Sequence, residues 1–211
     1  MVERTNNGKF RLGLRLFDYG NRAIEQYDLR ERAQPHLRRL VAETEETAHL
    51  ALLEAARVIY IDKIEPARSV RMITRIGASN PVHCTSVGKA ILAFLPEDRA
   101  TEVLRRLRFE RFTHRTISSP EALRTEMEKT RRRGYAVDDE EFEEGLRCIA
   151  VPLLDAQRQP VAAVSISGPS FRVTAQKLPS IANHLLQCVR GISMDMGYIT
   201  AGRGARATWS A

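Results

Sequence analysis

Two neighbouring stretches, RCIAVPLLD and PVAAVSISG, joined by the polar turn AQRQ, constrain the fold more than anything else in the chain. Both read as β-strands, and side chains alternate across a strand. Ile149, Val151 and Leu153 therefore share a face with each other, as do Ala162, Val164 and Ile166. Cys148, Ala150 and Pro152 fall on the opposite side of the first strand, and Val161, Ala163, Ser165 and Ser167 on the opposite side of the second. One sheet face is branched and apolar and needs helices to cover it. The other is small and mildly polar. Ser165 and Ser167 place two hydroxyls roughly 7 Å apart on that face, and each can donate to a carboxylate or accept from a hydroxyl. Alternation alone is equally compatible with serines that merely face solvent.

The remaining elements follow from periodicity and capping. A turn at Asn7-Gly8 precedes a short extended segment ending at Gly13, and Leu16, Tyr19, Ala23 and Tyr27 predict a helix over 14–26. Asp28 and Glu31 form a capping-box pattern for a second helix, carrying Leu37, Leu40 and Val41, with Pro35 expected to kink it or tighten its early turns. AHLALLE and RVIYIDKIE predict a hairpin, 70–76 a third strand and 77–81 a breaker-rich loop. Thr85 and Ser86 precede the helical run VGKAILAFL, which stops at Pro96, and a further helix is expected over 97–107. Ser118 or Ser119 caps another, with Pro120 at its first position and Gly134 past its end. A long helix runs from Thr174 towards Tyr198, interrupted early by Pro179, and TAGRGARATWSA is expected to be a flexible tail. Strands mixed with segregated helices predict an α+β domain with an antiparallel sheet.

Composition excludes several classes. Hydrophobic residues make up 43% of the 211 positions and charged residues 28%, the mix of an ordinary globular domain. No apolar run approaches the ~18 residues of a membrane span, and MVERTNNGKF has no hydrophobic core of the kind a secretory leader carries. The three cysteines, Cys84, Cys148 and Cys188, are an odd set without CxxC spacing, which points to a reducing cytoplasm rather than a disulfide framework or zinc site. The net charge of +7 is concentrated in Arg105, Arg106, Arg108 and Arg111 and in Lys129, Arg131, Arg132 and Arg133. These read as solvated C-terminal helix turns, since no aromatics interleave with them as a nucleic-acid platform requires.

Two further elements bear on a binding site. PVHCTSVGKAILAF puts Ser86 and Val87 at a helix start, where free N–H groups and the dipole favour an anion. Gly88 there allows either close approach of a ligand or tight packing. Asp138, in the acidic loop YAVDDEEFEEG, could turn inwards and accept from a ligand hydroxyl, with its pKa as a point of control. Against these stands an enzyme reading, with Cys148 as nucleophile and His83 as base, but no Cys-His signature supports it. Phosphate-binding glycine motifs, HExxH and GxSxG are absent. No cofactor or metal is called for.

With these residues in view, the chain resembles the effector-binding part of the IclR family of bacterial transcriptional regulators. The anchors are GKFRLGLRLFDYG, IGASNPVHCTSVGKAILAFL, GYAVDDEEFEEGLRCIAVPLLD and VAAVSISGPSFRVT, in order from Gly8 to Tyr198. The resemblance implies a GAF-like effector domain of antiparallel sheet flanked by helices, preceded by a linker helix. It divides the chain into a remnant of a DNA-binding wing strand (1–13), a linker helix (14–27), the effector domain (28–198) and a tail (199–211). It implies that Ser86 and Val87 through their amides, with Asp138, Cys148, Ser165 and Ser167, contact a small organic acid, and that Met72 and Leu146 supply apolar walls. RMITRIGASNP resembles regulators of sugar-acid breakdown. The implied partners are that effector, a second copy in a homodimer or tetramer, and DNA only through an N-terminal winged helix-turn-helix domain that this chain lacks. The resemblance implies a sensor rather than an enzyme. The alternatives are a Cys148-dependent hydrolase using the same pocket and an oligomerisation module without ligand.

Overall fold

A computed structural model describes residues 2–4, 8–12, 28–69 and 74–198. The helix expected over 14–27, the tail 199–211 and Met72 lie outside the described residues. The extended segment ahead of Gly13 is one arm of a hairpin, β2 (Phe10–Leu12) pairing antiparallel with β1 (Val2–Arg4).

Helix α1 (Asp28–Thr44) runs through Pro35 as one helix and buries Leu29, Ala33, Leu37, Leu40 and Val41, the i, i+4, i+8 stripe of an amphipathic helix. It leads through Glu45 and Glu46 into β3 (Thr47–Glu54), which turns back as β4 (Arg57–Ile64). The next strand, β5, is Ser79–Pro81, inside the segment expected to be a loop, while Thr74–Ile76 are not in a strand. The edge of β4 is open to pairing there, and Arg57 holds the segment by donating to the Ser79 hydroxyl at 2.7 Å and carbonyl at 2.6 Å. Pro81 is tolerated because the strand is short and at an edge.

Three helices follow: α2 (Ser86–Phe94), α3 (Glu97–Arg106) and α4 (Pro120–Arg133). The last is capped by the Ser119 hydroxyl, which accepts from the Ala122 amide at 3.2 Å, and ends on Gly134 with φ 81°. Its expected loop successor is instead a strand, β6 (Ala136–Asp139), which alternates buried and half-buried residues along the edge of β7 (Leu146–Leu154). β8 (Pro160–Pro169) completes the sheet. A 3₁₀ turn (Ala175–Lys177) then feeds α5 (Leu178–Asp195), so Pro179 lies in the first turn, where proline starts a helix rather than interrupting it.

The strand order is β5-β4-β3-β8-β7-β6, antiparallel throughout. α1 and α5 pack on the face carrying Ala48, Leu50, Ile149, Val151, Leu153, Ala162, Val164 and Ile166. α2 covers the small face, against Ala136, Ala150 and Ala163, with α3 and α4 outside it through Val103, Leu104, Leu123 and Met127. The fold is therefore α+β, with both faces of the sheet covered. Arg105 and Arg106 end α3 and Arg131, Arg132 and Arg133 end α4, as the charge pattern suggested, while Arg108 and Arg111 lie beyond α3.

Gly88 is a packing glycine. A Cβ there would lie 2.5 Å from the Val82 carbonyl oxygen and 2.6 Å from its Cα, so backbone, not open space for a ligand, occupies that side of α2. Gly88→Ala is expected to cost roughly 1–3 kcal/mol through overpacking against a backbone that cannot yield, measured as a lower urea midpoint at unchanged slope.

Candidate functional site

Strand register assembles the polar residues of the small face into rows. Asp138 on β6 stands opposite Cys148 on β7, Cys148 opposite Ser167 on β8, and Ser167 opposite Thr47 on β3. Two residues along each strand, Ala136, Ala150, Ser165, His49 and Lys63 form the next row. Cross-strand partners project to the same face with Cβ atoms about 4.5–5.5 Å apart. Asp138, Cys148, Ser165, Ser167, Thr47 and His49 are all buried, and Leu146 lies at the end of the same face.

A hydrogen bond crosses from the first row into the second. The Cys148 thiol is flanked across the strands by Asp138 and Ser167. The Ser167 hydroxyl lies 3.5 Å from His49 Nδ1, and His49 Nε2 lies 2.8 Å from the Thr74 hydroxyl. Lys63 Nζ donates to the Thr74 carbonyl at 2.5 Å, tying down the segment that follows residue 73. Burial, with the Lys63 charge adding to it, pushes the His49 pKa down to about 3. The ring is neutral at physiological pH, with one donor and one acceptor nitrogen to pass along the chain of bonds.

Helix α2 contributes its N-terminus. Thr85 is the N-cap residue but gives no side-chain cap, because its hydroxyl donates to the Pro81 carbonyl at 2.7 Å. The first-turn amides of Ser86 and Val87 have no intrahelical acceptor and retain the positive end of the dipole. Inside the same helix Lys89 is fully buried and pairs with Glu141. Glu141 belongs to a turn held from several sides. Asp138 Oδ1 accepts from the Glu141 amide at 2.8 Å and the Phe142 amide at 3.4 Å, while the Thr116 and Thr113 hydroxyls donate to the Glu141 and Glu140 carbonyls at 2.6 and 2.7 Å. Burial pushes the Asp138 pKa up to about 7; the Lys89 charge opposes this and the Glu141 charge adds to it. Glu141 is likewise raised by burial against the opposing pull of Lys89.

This arrangement can bind but is poorly suited to nucleophilic attack. Burial and the neighbouring Asp138 hold the Cys148 thiol well above its usual pKa, the reverse of an activated nucleophile. His83 Nε2 is engaged by the Glu110 carbonyl at 2.9 Å, its ring packs on Phe109 and Phe112, and no hydrogen bond joins it to Cys148. Among the described residues no cluster of three or more His, Cys, Asp or Glu is placed to hold a metal ion. The three cysteines are free and buried.

Of the residues the sequence singled out, Asp138, Cys148, Ser165, Ser167 and Leu146 come together on one face of the sheet; Ser86 and Val87 begin the helix that covers it. Asp138 does so from a strand rather than the expected loop. The sequence reading missed Thr47, His49, Lys89 and Glu141. Signals were present: a histidine in the apolar strand AHLALLE, and a lysine inside the otherwise apolar VGKAILAFL, which burial obliges to find an anion.

Two outcomes follow from the charges. An acid whose pKa rises on folding holds a proton that the unfolded chain releases, so its contribution to stability is complete below pH ~4 and is lost as pH rises through about 7. His49 acts in the opposite sense, costing stability as pH falls below ~6.5. Asp138→Asn should therefore gain on the wild type progressively between pH 4 and 7 in chemical denaturation; a constant difference across that range would contradict the Asp138 assignment. Lys89→Met should destabilise by about 3–5 kcal/mol by leaving Glu141 unpaired, and adding Glu141→Leu should restore part of that loss in the same assay.

A family signature described as bacterial transcriptional regulator IclR C-terminal matches residues 21–194. The HTH-type transcriptional regulator KdgR of Escherichia coli is 40% identical over 198 residues, covering 94% of this chain and 75% of that protein. Among solved structures, the Thermotoga maritima IclR superposes with a TM-score of 0.82 at 38% identity, covering 93% of this chain and 80% of the other. An IclR homolog from Microbacterium hydrocarbonoxydans complexed with 4-hydroxybenzoate gives a TM-score of 0.78 at 30% identity, covering 93% and 79%. These relatives are transcriptional regulators and not enzymes. Among the described residues no helix is long and apolar enough to cross a membrane. The chain belongs to the IclR family of bacterial transcriptional regulators, and its α+β fold is that of the family's C-terminal effector-binding domain.

Proposed function

We propose that this domain binds a small organic acid between the uncapped start of α2 and the polar row of the small sheet face. The observation that supports the reading is that α2, whose N-terminus has no side-chain cap, packs on the strands that carry these buried hydrogen-bonding groups. The Ser86 and Val87 amides take the carboxylate; Asp138, Cys148, Ser165 and Ser167 bond the remaining oxygens; Leu146 and Met72 flank the carbon skeleton. The raised pKa of Asp138 supports this, because a carboxyl that carries a proton near neutral pH can donate to an anionic ligand instead of repelling it. The 4-hydroxybenzoate bound by one structural neighbour is itself a carboxylic acid, which supports the ligand class.

This reading makes the domain (28–198) a sensor in the cytoplasm, joined by a linker helix (14–27) to a DNA-binding unit to which the β1–β2 hairpin within 1–13 belongs, with 199–211 as a tail. Homodimers or tetramers bind DNA through that unit, and the effector acts by favouring one arrangement of subunits. Linkage requires differential affinity for the two arrangements, with about 1.4 kcal/mol of it for each tenfold change in operator binding.

The test is a thermal-shift screen of keto, hydroxy, sugar and aromatic acids. At a hundredfold excess over Kd a cognate acid should raise Tm by about 5–10 °C. Ser165→Ala combined with Ser167→Ala should abolish the shift. No shift by any acid in the panel would overturn the reading, and an unchanged shift in the double variant would move the site elsewhere.

A further inference from the structure

Thr47 is the residue of the polar row that no partner satisfies. Its side chain is fully buried, and its hydroxyl makes no hydrogen bond. An unpaired buried hydroxyl costs roughly 1–3 kcal/mol, and folding could have avoided that cost with valine, which has the same shape. The register puts Thr47 opposite Ser167, on the face that carries Ser165 and His49, and a β3 neighbour on the other face, Ala48, packs into the α1–α5 core. Ser167 and His49 bond each other and His49 bonds Thr74, and neither makes a hydrogen bond to Thr47. Cys148, Ser167 and Thr47 span two strand spacings, close to 10 Å at about 4.8 Å each. An effector lying along this row therefore meets an unsatisfied polar group at its Thr47 end.

We infer that Thr47 is a specificity-determining residue that hydrogen-bonds a hydroxyl or carbonyl oxygen of the effector remote from its carboxylate. The inference rests on the proposed organic-acid site and adds to it a ligand class: acids with a second oxygen several bonds from the carboxyl group, in preference to their plain counterparts. A site built to bond a ligand oxygen rejects the analogue lacking it, because the protein group is then left buried and unpaired. Thr47 is paired with no protein group, so what discriminates is the ligand's ability to relieve a cost already present in the free domain.

The test is calorimetric titration of two matched pairs, 4-hydroxybenzoate against benzoate and 6-hydroxyhexanoate against hexanoate, with wild type, Thr47→Val and Thr47→Ser. Wild type should bind the hydroxylated member of at least one pair about tenfold or more tightly. Thr47→Val should lose that preference while still binding the plain acid and while raising Tm without ligand. Thr47→Ser, which keeps the hydroxyl, should keep the preference. A preference undiminished in Thr47→Val overturns the inference, since a merely structural threonine would alter Tm but not the ratio within a pair. So does a wild type that binds neither hydroxylated acid, or binds both members of each pair equally. The organic-acid reading beneath it falls only if the wider acid panel also produces no shift, so the two failures are distinguishable.

Discussion

The pairing of β3 with β8 is the contact on which the rest depends. It joins Thr47 to Ser167 and Ala51 to Ala163 across more than a hundred residues of sequence, in the middle of the sheet. Without it the β3–β4 hairpin and the β6–β7–β8 meander would be two separate ribbons, each with an exposed edge. With it, the apolar face becomes continuous enough to seat both α1 and α5, which pack on each other as well as on the strands. The same pairing carries His49 and Thr47 to the serines of β8, so the core and the candidate site are consequences of one set of backbone hydrogen bonds. Such long-range closure is entropically expensive and is offset by burial on both faces.

The small face imposes a second constraint. Ala136, Ala150 and Ala163 allow α2 to lie close enough to the sheet that all residues from Ser86 to Ala93 are buried. Close approach leaves little water to satisfy polar groups, so most find a partner in the protein and Thr47 is the exception in the polar row. Lys89 finds Glu141, Asp138 finds two backbone amides, and His49 finds Thr74. Charges so placed shift their proton equilibria, which is why Asp138 is held near neutrality while His49 is driven far into acid. The site's chemistry is thus a product of the packing rather than an addition to it.

Much of this was legible in the sequence. Period-two alternation gave the two faces of β7 and β8, and the serine-proline and glycine signals placed α4 to the residue. Period-based reading failed where an element is short and owes its existence to a neighbour. β5 and β6 contain three and four residues and form because β4 and β7 offer open edges, information that no local window holds. The serines and Cys148 were readable because they share strands whose faces alternation resolves. Thr47 carried no such signal, and His49 stood out only as a histidine in an apolar strand, since register, set by non-local pairing, is what reveals which side of β8 they join. Gly88 was ambiguous for the same reason: the Val82 backbone that it accommodates arrives from outside its helix.

The joint between α1 and β3 is only two residues long, and both are held. Glu45 adopts a left-handed conformation, φ 55°, with its amide bonded to the Val41 carbonyl at 2.7 Å, while Glu46 is gripped by two nitrogens of Arg172 and lies against Gly168. Thr47 follows directly. A connection this short and this firmly clamped behaves as a stiff coupling rather than a hinge. A displacement at the first residue of β3, on the polar face of the sheet, is geared straight into a helix that packs on the opposite face, with no slack segment between them to absorb it.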